Sequence, residues 1–170
     1  METEIINKIA ASGIVTIDLE KYYPNQPIVG FDLKPLLFME MILKEKDFRQ
    51  QLKETDWTQY QHRYVAVYCS CDAIIPRWAF MLVATYLQPF AKDFIAGTEN
   101  DLINKLMTQN IGTIDFIDFQ DRRVVIKGCG DLDVSALAYL EITKRLLPYA
   151  QSIMYGEPCS TVPVFKRKNA

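Results

Sequence analysis

Tyr64-Val65-Ala66-Val67-Tyr68-Cys69 is the stretch whose reading decides the fold. It is uncharged and rich in β-branched and aromatic residues, as a strand covered on both faces should be. Pro76 then opens a helical run, Arg77 to Leu87, and Pro89 ends it. Phe94-Ile95-Ala96-Gly97 reads as a short strand. The same order returns downstream: a strand from Arg123 to Gly128, a helix from Val134 to Leu146, Pro148, and a strand from Ser152 to Gly156. With a shift of 59 and no gap, residues 65–97 lie over 124–156. Val65, Asp72, Ala79, Leu87, Pro89, Ala91 and Gly97 then meet identical residues, seven in 33 positions. Val67 with Ile126, Phe80 with Tyr139, and Val83 with Ile142 are conservative pairs. Chance supplies roughly two or three identities at ordinary composition, so the order of elements weighs more than the identities. The expectation is an α/β fold: a mainly parallel sheet with right-handed crossovers, from two duplicated strand–loop–helix–strand units. The alternative is two ordinary βαβ units shaped alike by the same physics.

Around these units the expectation is a single domain over residues 1–170, with 1–60 as an N-terminal α/β extension and 64–97 and 123–156 as the duplicated units. In the extension, Glu4 to Ala11 reads as a short helix and Ile14 to Leu19 as a strand. Tyr23 to Pro27 reads as a turn, and Asp32 as the cap of a helix running to Leu52. Asn100 to Met107 reads as a further helix. Residues 166–170, with the basic cluster Lys166-Arg167-Lys168, read as a frayed, solvated tail.

The composition narrows the function classes. The chain has 170 residues, 49% hydrophobic and 24% charged, and a formal net charge of −2. That charge gives no whole-chain attraction to nucleic acid or anionic membrane, so neither is expected as a partner. No apolar run approaches membrane-spanning length, and the acidic N-terminus lacks a signal-peptide core. A cytoplasmic location with reduced thiols follows as the expectation for the four cysteines.

All four cysteines lie just after predicted strands, where parallel sheets gather ligands. The segments are Cys69-Ser70-Cys71-Asp72, Gly128-Cys129-Gly130-Asp131 and Gly156-Glu157-Pro158-Cys159. Three readings stand. In the first, Cys69, Cys129 and Cys159 are soft ligands for zinc or iron, with Asp72 as a fourth ligand and Asp131 and Glu157 in support. In the second, the chain is a non-catalytic interaction module with structural cysteines, and the N-terminal 60 residues serve a homodimer or another partner. In the third, Cys129, between two glycines ahead of a helix, is a reactive thiol of a sulfur carrier or enzyme. Whether the chain is an enzyme stays open. His62, the only histidine, precedes the first strand and so falls at the wrong end for a Cys–His dyad. Asp72 and Asp131 match across the repeat and read either as a carboxylate pair or as helix caps. No Walker A, GxGxxG, GxSxG or HExxH motif is present.

The phrases YCSCDAIIPRWAFML, VVIKGCGDL and SIMYGEPCSTVPVFK, with DWTQY and IVTIDLE, resemble the bacterial domain-of-unknown-function family numbered 2480. The likeness covers nearly the whole chain. Members of that family are often encoded beside the SUF iron–sulfur cluster assembly genes. The resemblance therefore implies, by association, iron–sulfur assembly proteins as partners. Carried over by position, its motif residues are Cys69, Cys129 and Cys159, with Asp72 and Asp131. Cys71 stands where the family pattern expects a small residue, which puts its role as a ligand in doubt.

Overall fold

The computed structural model describes residues 13–128 and 130–168. In chain order they form β1 (Ile14–Asp18), β2 (Ile28–Asp32), α1 (Glu45–Glu54), β3 (Tyr64–Tyr68), α2 (Arg77–Leu87), β4 (Asp93–Ala96), α3 (Glu99–Ile111), β5 (Arg123–Lys127), α4 (Ala136–Leu146), β6 (Ser152–Glu157) and β7 (Ser160–Lys166). Short 3-10 turns precede β3 at Trp57–Tyr60 and β5 at Phe116–Phe119. The helix expected over Glu4 to Ala11 lies outside the described residues.

The fold is mixed α/β with largely parallel strands, and the strands are divided between two sheets. They belong to two compact units. One is continuous, Asn25–Lys105; the other is split around it, Met1–Pro24 with Leu106–Ala170. The continuous unit holds the sheet β2-β3-β4, parallel throughout. Val29 lies opposite Val65, and Val65 opposite Phe94. The split unit holds β1-β5-β6-β7, parallel except for β7, which pairs antiparallel with β6. Val15 lies opposite Val124, and Val124 opposite Ile153.

The spacing of 59 seen in the sequence holds for the elements. β3, α2 and the Trp57–Tyr60 turn have counterparts 59 residues later in β5, α4 and the Phe116–Phe119 turn, and β4 begins 59 residues before β6. Backbone detail follows it. His62 and Asp121 both have positive φ (60° and 58°). Their N–H groups donate to the carbonyls of Phe90 and Tyr149, each at 2.9 Å.

Each unit buries one apolar set. In the continuous unit, Phe31, Leu33, Phe48, Leu52, Trp57, Val65, Val67, Ala79, Val83 and Leu87 form one cluster. The Trp57 indole, its N–H satisfied by the Leu52 carbonyl at 2.8 Å, stacks on Tyr86 with centroids 5.2 Å apart. In the split unit, Ile17, Leu19, Phe116, Val124, Ile126, Ala138, Ile142 and Leu146 are buried. Burial of such side chains contributes about 1.5–3 kcal/mol each, which is what holds marginal helices of this length in place.

Three expectations need correction. The helix expected from Asp32 to Leu52 is interrupted. A 3-10 turn covers Lys34–Leu36, Met39 and Glu40 take left-handed φ of 51° and 57°, and the helix starts only at Glu45. Two consecutive left-handed residues cannot continue a right-handed helix. The apolar periodicity misled because Met39, Met41 and Ile42 are exposed, whereas Phe48 and Leu52 are core. Next, neither Asp72 nor Asp131 is a helix N-cap: the N-caps are Pro76 and Ser135, four residues further on. Finally, the first residues of the expected frayed tail are engaged: Lys166 closes β7, and Arg167 pairs with Asp121 at 2.9 Å and donates to the Pro148 carbonyl.

Candidate functional site

Asp32 ends β2, and Ser70 follows β3, its parallel neighbour. The pairing places them side by side. The Ser70 hydroxyl donates to Asp32 Oδ2 at 2.5 Å, and the Ser70 N–H donates to Oδ1 at 2.9 Å. The Lys34 N–H adds a third bond to Oδ1 at 3.0 Å. Partial burial alone would raise the Asp32 pKa. The hydroxyl and the two N–H groups outweigh it, and the carboxyl titrates below its ordinary value.

Flanking Ser70, the two thiols turn toward each other. Cys69 Sγ and Cys71 Sγ are 3.4 Å apart, and both residues are half-buried. A tight turn, with Ala73 N–H on the Cys71 carbonyl at 2.9 Å, folds the chain there. The Cys71 thiol donates to the Glu40 carbonyl at 3.1 Å. Desolvation pushes its pKa up, with the bond to Cys69 adding to the effect and the Lys34 charge opposing it. Lys34 pairs with the Glu40 carboxylate at 3.1 Å, which raises the lysine's own pKa. Strand ends and the Phe38–Ile42 loop thus converge on a pair of thiols with an ammonium group close by.

The other residues expected at a site are placed as follows. Asp72 is exposed in the loop after Cys71, and Asp131 is exposed in the split unit. Glu157 ends β6, where Lys127 lies 3.7 Å from it and 3.7 Å from Asp18. Cys159 is exposed in the two-residue turn between β6 and β7. Cys129 lies outside the described residues. The glycines beside it serve close packing: a Cβ on Gly128 would come within 2.8 Å of the Tyr139 hydroxyl, and one on Gly130 would strike the Glu20 carboxylate. His62 is exposed before β3, whereas Cys69 follows that strand. Among the described residues no three His, Cys, Asp or Glu side chains gather as metal ligands.

The sequence alone presents Asp32 as a helix cap; the structure makes it the acceptor that ties Ser70 to β2. A signal was present. Ile28-Val29-Gly30-Phe31-Asp32-Leu33 repeats Ile14-Val15-Thr16-Ile17-Asp18-Leu19 at a spacing of 14. In both, the aspartate ends a strand and accepts the N–H two residues on.

The family described as "Protein of unknown function (DUF2480)" matches residues 3–167. The chain belongs to this family. No curated protein and no solved structure matches the chain. Membership brings no activity with it, because the family's description names none. Among the described residues no helix is long and apolar enough to cross a membrane.

Proposed function

We propose that this protein binds a transition-metal ion through the thiols of Cys69 and Cys71. The observation that carries the reading is their 3.4 Å separation. Tetrahedral zinc with bonds of about 2.3 Å requires sulfurs about 3.8 Å apart, so an opening of a few tenths of an ångström converts the pair into two adjacent ligands. Zinc and iron are the metals the cysteine usage first suggests. Service to iron–sulfur cluster assembly is part of the same proposal and rests on the family resemblance. Both ligands bind as thiolates, so loading releases protons and strengthens as pH rises.

Elemental analysis of protein purified under reducing conditions without chelator tests the reading, alongside loading with Zn(II), Fe(II) or Cu(I) and desalting. The expected result is about one ion per chain, lost in Cys71→Ser and in the Cys69→Ser/Cys71→Ser double variant. Wild-type protein that retains no stoichiometric ion after any of the three loadings would overturn it.

A second reading, the interaction module, is favoured by a different observation. Each unit leaves an apolar groove beside its crossover helix. The groove of the continuous unit, about 290 Å³, is lined by Phe80, Met81, Ala84 and Phe94. That of the split unit, about 410 Å³, is lined by Tyr139, Leu140, Thr143 and Val164. Met81 and Leu140 are exposed in them. The mark of this reading is a stable second copy or partner in sedimentation, with metal content that ignores the cysteine variants. A monomer at all concentrations that also co-purifies with no other chain would end it.

A further inference from the structure

We infer that the same thiol pair, with the thioethers of Met39 and Met41, forms a sulfur site selective for a soft monovalent cation, Cu(I), over zinc. The inference rests on the metal-binding reading above and goes beyond it in naming the class of ion. Zinc sites held by protein alone are almost always four-coordinate. Here two thiols meet, and among the described residues no third His, Cys, Asp or Glu joins a cluster. Asp32, whose carboxylate acts electrostatically on Cys71, already accepts three hydrogen bonds from Ser70 and Lys34. A cation content with few, soft ligands suits the donors present better than one demanding four.

The methionines enter through Glu40. The Cys71 thiol bonds the Glu40 carbonyl, which seats the cysteine on the backbone between Met39 and Met41. That loop is shaped: Phe38 N–H bonds the Ile42 carbonyl at 2.8 Å, Met39 and Glu40 take left-handed φ, and Lys34 holds the Glu40 carboxylate. Both methionines are surface residues, 76% and 69% exposed, so packing does not explain them. An exposed thioether on three rotatable bonds can swing onto an ion held by the neighbouring thiolates. Binding is a ligand exchange without electron transfer. Two S–H bonds release their protons to solvent, copper sheds the water or chelator ligands that held it, two copper–sulfur bonds form and a thioether adds a third; Lys34, held by Glu40, acts electrostatically on Cys71.

The test is anaerobic competition for Cu(I) against a chromogenic Cu(I) chelator, with Ag(I) as a redox-inert probe and Zn(II) titrated separately. The ion counted is the one lost in Cys69→Ser/Cys71→Ser. Expected are tighter Cu(I) than Zn(II) binding, and a loss of at least about tenfold in Cu(I) and Ag(I) affinity in Met39→Leu/Met41→Leu with zinc affinity unchanged. Leucine keeps the volume of an exposed side chain, so an unchanged circular dichroism spectrum is the check on folding. Cu(I) affinity unaffected by the leucine pair, or zinc held more tightly than Cu(I), would overturn the inference and leave the metal-binding reading standing. No ion bound by the wild type would overturn both.

Discussion

Asp32 shows how a single carboxylate ties a sheet to a loop. It accepts from Ser70, 38 positions away, only because β2 and β3 pair in parallel register. Its pKa is depressed in the fold, so its contribution to stability is fully present above its unfolded value of 3.8 and is lost as pH falls through the lower folded value. Asp32→Asn removes that ionisation while keeping the shape. The stability difference between wild type and Asp32→Asn, from urea unfolding, should be constant from neutral pH down to about 5 and shrink below about 4. A difference that stayed flat to pH 2.5 would mean that the carboxylate's charge does not matter to the loop.

The elements were legible to the degree that their signal is local. Strand Tyr64–Tyr68 and helix Arg77–Leu87 announce themselves by β-rich composition and by flanking prolines, and both stand within a residue of where the sequence put them. The two antagonists of local reading were pairing and chirality. β2 is short and contains Gly30, and its role depends on β3, 36 positions on. The break at Met39 and Glu40 lies inside an apolar run that mimics a helix face. The Cys69–Cys71 pair suffered likewise: adjacent thiols at i and i+2 depend on a turn that no periodicity reports. The matching spacing of the two units is what copying one unit would leave. It is also what one packing problem solved twice would leave, and shared geometry does not separate the two. Gly156, by contrast, has a readable reason. Its φ is 114°, and a Cβ there would meet the Ser160 carbonyl at 2.7 Å across the β6–β7 pair. Gly156→Ala should therefore lower stability by about 1–3 kcal/mol, read as a fall in the urea midpoint at unchanged slope. No change in midpoint would show that the hairpin can relax around a methyl group.

At the scale of the whole chain, the order of assembly follows from where the strands fall in sequence. In the continuous unit Ile28 pairs with Tyr64; in the split unit Ile14 pairs with Arg123. The second closure spans roughly three times the chain length, which costs about 1 kcal/mol more in loop entropy if the intervening chain is unstructured. Folding Asn25–Lys105 first removes much of that penalty, because it replaces a long coil by a compact body. Both tryptophans, Trp57 and Trp78, lie in the continuous unit, so selectively excited tryptophan fluorescence reports that unit. The counterpart of Trp57 in the split unit is the buried Phe116, which makes Phe116→Trp, in a Trp57→Phe/Trp78→Phe background, the matching reporter. On dilution from urea, the wild-type signal should recover faster than the Phe116→Trp signal. Val83→Ala, which weakens the core of the continuous unit, should slow both, while Ile142→Ala in α4 should slow only the second. Recovery of the split unit first, or of both at one rate that Ile142→Ala slows equally, would show that β1 finds β5 without waiting for the chain between them to fold.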